Sequence, residues 1–130
     1  MHLRSIILLI VWTTATTAPA SAQDPLLSDG DKYKAIFENA CVRVLEYHDQ
    51  PGASTHLHRH PAFVLYALSD FKRNITLPDG QVLTREFRRG DVMWSPAQTH
   101  IGENVGTTPT HVLIVESRPA MAGSPACGSQ

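Results

Sequence analysis

What most constrains the fold of this chain is how often it is interrupted. Short β-favouring runs recur, and each is cut by turn residues before a helical period can develop. The runs lie at 33–37, 42–47, 55–60, 63–68, 72–77, 81–87, 92–95, 100–104 and 110–116. Between them stand Pro51-Gly52, Pro78-Asp79-Gly80, Arg89-Gly90-Asp91 and a loop with Gly106 and Pro109. Glycine supplies positive φ at turns and proline presets them, so these are breaks with a mechanism. Strands repeating about every 8 to 12 residues predict an all-β sandwich or barrel. Phe63, Leu65 and Ala67 share one face of a strand, as do Val92 and Trp94; both stripes read as core first and pocket wall second. His111 alternates with Leu113 and Val115 and reads as a packed or hydrogen-bonded histidine on a face that can turn inward. Tyr47 and Tyr66 are placed to offer hydroxyls to a cavity.

The first residues stand apart from this pattern. Arg4 precedes an apolar run at 5–12, a Thr/Ala stretch follows, and Ala20-Ser21-Ala22 leads to Gln23-Asp24. A positive start, an apolar centre and a small-residue cleavage site are the parts of a secretory signal peptide. The apolar run is far short of the roughly 20 residues that span a bilayer. The expected organisation is a signal peptide over 1–22, an N-terminal arm over 23–32, one domain over 33–118 and a flexible tail over 119–130. The product is expected to be exported, periplasmic or secreted, with no stable membrane anchor after cleavage.

Cleavage removes one basic residue, Arg4, and leaves a net charge of about −2 with neutral histidines. A near-neutral chain without a Lys/Arg run lacks the electrostatic footprint of a nucleic-acid binder. Cys41 and Cys127 are the only cysteines. In an oxidising compartment an even count predicts a disulfide, and two isolated cysteines make a poor zinc or redox motif.

Four histidines carry the functional signal: His56, His58 and His60 at alternate positions, and His100 forty residues on. Alternate residues of a strand point to one face, and imidazole is a common transition-metal ligand. On a regular strand His56 and His60 are roughly 13 Å apart, too far for one ion with bonds of about 2.0–2.2 Å. The pair is therefore His56 with His58, or His58 with His60, and His58 is common to both.

Gly52-x5-His58-x-His60, with Gly90-x5-Pro96 and then His100-x3-Asn104, resembles the two motifs of the cupin superfamily. The likeness covers roughly 33–118 and is closest to small, single-domain members with a signal peptide. It implies a single antiparallel cupin β-barrel, a jelly-roll-like double sheet. It also implies metal ligation by His58, His60 and His100, with His56 as an extra ligand position, and it allows a homodimer. Two departures stand out. Where many cupins carry a glutamate ligand this chain has Val64 and Leu65, and Gln98 replaces a usual glycine. The implied centre is thus a three-histidine face for a divalent transition metal (Fe, Mn, Ni or Zn), as in thiol and diketone dioxygenases of the superfamily. The expected partner is a small-molecule ligand or substrate. The residues leave three readings open: a non-haem metal-dependent oxygenase or isomerase, a non-catalytic module that binds metal or a small ligand, and a metal-free structural domain. No catalytic acid or base is evident on either motif.

Overall fold

The computed structural model describes residues 23–118 and Cys127. The signal peptide expected over 1–22 lies outside the described residues, as does all of the tail except Cys127. Among the described residues a short helix, α1 (Pro25–Ser28), precedes nine strands: β1 (Tyr33–Glu38), β2 (Val42–Asp49), β3 (His58–His60), β4 (Phe63–Ala67), β5 (Phe71–Thr76), β6 (Val82–Phe87), β7 (Val92–Ser95), β8 (Gln98–Asn104) and β9 (Thr110–Ser117). One sheet has the order β1-β2-β9-β4-β7 and the other β3-β8-β5-β6. The named strand pairs are antiparallel, and the two sheets form a jelly-roll-like double sheet. The all-β expectation holds, and the turn residues do the work assigned to them. At the β5–β6 hairpin Gly80 adopts φ +87°, a conformation that suits glycine.

Alternation sorts each strand into two faces. β2 turns Arg43, Leu45, Tyr47 and Asp49 inward; β9 turns Thr110, Val112, Ile114 and Glu116 inward, opposite them in register. With Tyr33, Phe63, Leu65, Ala67 and Phe71, the apolar members of these rows form the core. Leu45 is wholly buried there, so truncation to alanine should cost about 2–5 kcal/mol.

Polar residues are buried beside that core. Arg73 donates from Nη1 to Asp49 (2.6 Å) and Thr110 (3.1 Å), and from Nη2 to the Tyr47 hydroxyl (3.0 Å). Asn104 donates to the second Asp49 oxygen at 3.0 Å. Burial alone would raise the Asp49 pKa, but the Arg73 guanidinium and these hydrogen bonds hold it below the usual value. A Cβ at position 102 would lie 2.6 Å from Arg73 Nη2, so glycine there lets β8 pass under the guanidinium.

Several sequence expectations need correction. The arm over 23–32 carries structure of its own: Asp24 caps α1 through Leu26 N–H, and Asp29 is 1% exposed. The run 55–60 is strand only over His58–His60. Phe63, Leu65 and Ala67 are buried as expected, but Val92 and Trp94 are not core: both are largely exposed, Trp94 also borders the interior cavity, and Met93 and Ser95 take the inner positions of β7. His111 and Tyr66 also lie on outer faces, whereas Tyr47 does point its hydroxyl inward.

The expected disulfide is present. Cys41 and Cys127 are bonded across a Cα separation of 5.3 Å, and the link ties a residue just before β2 to the C-terminal tail. They are 86 residues apart, and closing a loop of that length is worth about 4 to 5 kcal/mol in the chain-entropy account. Among the described residues no helix is long and apolar enough to cross a membrane.

Candidate metal centre

β3 and β8 build the site. Their antiparallel register sets His58 opposite His100 and His60 opposite Gln98, so one cross-strand pair and its i+2 neighbour converge. His58, His60 and His100 are 0%, 1% and 7% exposed, and each offers a ring nitrogen within 4.8 Å of the other two. The ring centroids of His58 are 4.8 Å from His60 and 4.7 Å from His100. His56 stands outside this group. Its side chain is 79% exposed, and its Nδ1 and backbone N–H both bond to Asp29.

Hydrogen bonds fix the protons on two of the rings. His58 Nδ1 lies 2.8 Å from the carbonyl of His56, which can only accept, so Nδ1 carries the hydrogen. His60 Nδ1 lies 2.6 Å from Oε1 of Glu116, a carboxylate held ionised by His60 and Arg43 against the effect of burial. The two Nε2 atoms lie 3.0 Å apart, and with both rings neutral each would turn a lone pair on the other. Two facing lone pairs repel unless a proton or a cation lies between them. His100 adds a third mismatch: its Nδ1 is buried without a hydrogen-bond partner. Such an atom costs about 1–3 kcal/mol unless something satisfies it. A divalent transition metal fits this donor set, because it accepts several nitrogen lone pairs at once.

Burial disfavours the charged form of two of the rings. Burial first, and the neighbouring His60 second, push His58 down to about 4; burial with the other two rings pushes His100 down to about 2. Both are therefore unprotonated at neutral pH and available as ligands.

Behind the rings stand residues that the motif reading missed. Glu116 bridges His60 and Arg43 (2.7 Å), and Arg43 in turn bonds Asp24 (2.7 Å). The carboxylate missing from positions 64 and 65 is thus supplied by β9, as a partner of His60 Nδ1. Tyr33 places its hydroxyl 3.1 Å from His58 Nε2, and burial raises its pKa so that it stays protonated. The one available signal for Glu116 was a lone acid at the end of an apolar strand. Tyr33 carried no signal at all, because its approach to His58 is purely tertiary. Beside the rings lies a cavity of about 200 Å³. Phe63, Leu65, Phe71 and Met93 are among its apolar walls, and Tyr33, Arg73 and Arg85 supply polar atoms.

No family model matches the sequence, and no curated protein matches it either. Solved structures do. A cupin domain from Bordetella pertussis Tohama I superposes with a TM-score of 0.62 at 24% identity, over 67% of this chain and 92% of that one. The polyketide cyclase RemF from Streptomyces resistomycificus gives 0.52 at 19% identity, over 67% and 64%. An oxalate decarboxylase gives 0.52 at 24% identity over 84% of this chain, which spans only 33% of that larger protein. The fold is therefore that of the cupins, a double-stranded β-helix with three histidines grouped inside it.

Proposed function

We propose that this is an exported metal-binding cupin that holds one divalent transition-metal ion on His58, His60 and His100 and acts on a small molecule in the adjoining cavity. The observation that carries the reading is the convergence of three buried rings, with the two Nε2 atoms 3.0 Å apart, both Nδ1 atoms held by the His56 carbonyl and Glu116, and His100 Nδ1 without a partner. When bound, the metal supplies Lewis acidity and open coordination positions for a chelating substrate or dioxygen. The chain's own residues do the rest. Glu116 and the His56 carbonyl orient two ligand rings, an arrangement that raises ligand basicity. Tyr33 offers a protonated hydroxyl at the edge of the same space, whose walls are largely apolar. The reaction class is a non-haem oxygenation or isomerisation. The named activities of two structural neighbours, oxalate decarboxylation and polyketide cyclisation, support a small organic substrate.

A second reading has its own observation. Among the described residues, no carboxylate lines the cavity, and the Arg73 guanidinium is already engaged by Asp49 and Tyr47. A cavity without a free base suits a non-catalytic module that captures metal or a small ligand. The disulfide fits an oxidising compartment, which supports export. Pairing into a homodimer belongs to the same proposal; the exposed Val92 and Trp94 on the edge strand β7, across from Val64 and Tyr66, are the apolar surface available for it.

The deciding experiment is elemental analysis of protein recovered from its native compartment, followed by oxygen-uptake assays on the metal-loaded form with small chelating acids. Metal that is lost on His58→Ala, together with turnover, establishes the enzyme; such metal without turnover across the panel establishes the binder. Protein that takes up no transition metal at the three histidines overturns both. Mass spectrometry of the same material tests export: the mature chain should begin at Gln23, and an intact N-terminus refutes cleavage.

A further inference from the structure

A second histidine cluster lies on the outer face of the five-stranded sheet, away from the interior group. β2 and β9 pair so that His48 sits directly opposite His111, and Glu46 lies two residues before His48 on the same face. Directly opposed residues have Cβ atoms only about 4.5–5.5 Å apart, so their side chains meet. Here the two imidazoles stack at a centroid distance of 3.7 Å with 25° between their planes. Both aim Nε2 at the same oxygen, Glu46 Oε1, from 3.2 Å (His48) and 2.9 Å (His111). Two ring nitrogens and a carboxylate oxygen thus converge within 4.8 Å of one another.

From this we infer that Glu46, His48 and His111 form a second, solvent-accessible metal site that takes a zinc-class divalent ion and clamps β2 to β9. Two imidazoles and one carboxylate are a donor set that zinc uses, with bonds near 2.0–2.2 Å. The donors already converge on Glu46 Oε1; an ion there requires each Nε2 to give up the hydrogen it donates to Glu46, by a shift to the Nδ1–H tautomer, together with a side-chain rotation. Three protein ligands leave a position open, and there is room for it: the histidines border a shallow hollow walled by Leu68, Ser69, Asp70 and Thr108. The His48 side chain is 57% exposed, and His111 and Glu46 are about a third exposed, so an ion arrives without any opening of the fold. This site does not depend on the interior centre, and either can exist without the other.

The test is a zinc titration of the untagged, metal-stripped full-length protein against a chromophoric chelator, with wild type compared to a His48→Gln/His111→Gln variant. Both substitutions lie on the outer face, and circular dichroism with a thermal melt reports whether the fold persists. Wild type should bind one zinc more than the double variant, and Glu46→Gln alone should weaken that same ion at least tenfold. An identical stoichiometry and affinity in wild type and double variant overturns the site. A wild type that binds one ion, lost on His58→Ala and kept in the double variant, also overturns it. One ion lost in the double variant and kept in His58→Ala supports the outer site and speaks against the interior one.

Discussion

The molecule carries two histidine clusters of similar size, and their surroundings are opposite. Inside, three rings are sealed from solvent, with two of their tautomers set by a backbone carbonyl and a carboxylate. Outside, two rings share one carboxylate on an open sheet face. Burial disfavours protonation of His58 and His100 and leaves His100 Nδ1 without a partner; the outer rings both turn Nε2 to the partly exposed Glu46. The comparison teaches that donor groups of equal number make different candidate sites according to their burial and to what holds their ring nitrogens.

The sharpest way to break the comparison is to remove an inner ligand. His58→Ala and His100→Ala should each abolish stoichiometric metal binding at the interior centre, and His60→Ala should weaken it severely, as read by elemental analysis after dialysis. Full occupancy in the His58 or His100 variant would refute the ligand set. Next in size is the support behind the rings. Glu116→Gln keeps the shape but loses the charge that faces His60, and should lower metal affinity by about 10- to 100-fold while the outer cluster is unaffected. Unchanged affinity would mean that ring orientation is set without Glu116.

A third effect concerns acid. His58 and His100 have folded pKa values below the ordinary 6.5, so the unfolded chain binds protons first as the pH drops. Stability of the metal-free protein is therefore complete above pH 6.5 and declines as the pH falls from there toward 4. The decline is on the order of 3 kcal/mol for His58, whose folded value is about 4. Urea unfolding across that range measures it, and a flat profile would contradict the burial argument. The smallest effect is expected at His56, whose ring stands in solvent. His56→Ala should shift stability by less than about 1 kcal/mol and leave interior metal affinity within twofold. Loss of metal in that variant alone would place the ligand pair one step earlier on the chain.

Legibility in the sequence followed the range of the interactions. Turns and strand existence are local, and they were readable from Pro78-Asp79-Gly80 or from the His-x-His of β3. The facing of β9 was not. Its two faces carry equal apolar content, Val112 and Ile114 against Leu113 and Val115, so the pattern does not choose between them. What decides is that Thr110 and Glu116 find buried partners in Arg73, Asp49, His60 and Arg43. On β7 the apolar Val92 and Trp94 look like core, yet β7 ends its sheet and turns Met93 and Ser95 inward. At the centre, the ligand motif is compact and legible, whereas Tyr33, Glu116 and Asp29 reach it from 25 or more residues away.

The line of contacts running from His60 through Glu116 and Arg43 to Asp24 sets an order of events during maturation. Glu116 follows His60 by 56 residues, and Arg43 lies 73 residues before Glu116. A chain threaded out N-terminus first exposes Asp24, Arg43 and the His-x-His pair long before β9 exists. During that interval His60 lacks the carboxylate that orients it, and His58 lacks its cross-strand partner on β8. Long-range pairings of this kind form late. The interior histidine group is therefore assembled only when almost the whole chain is in place.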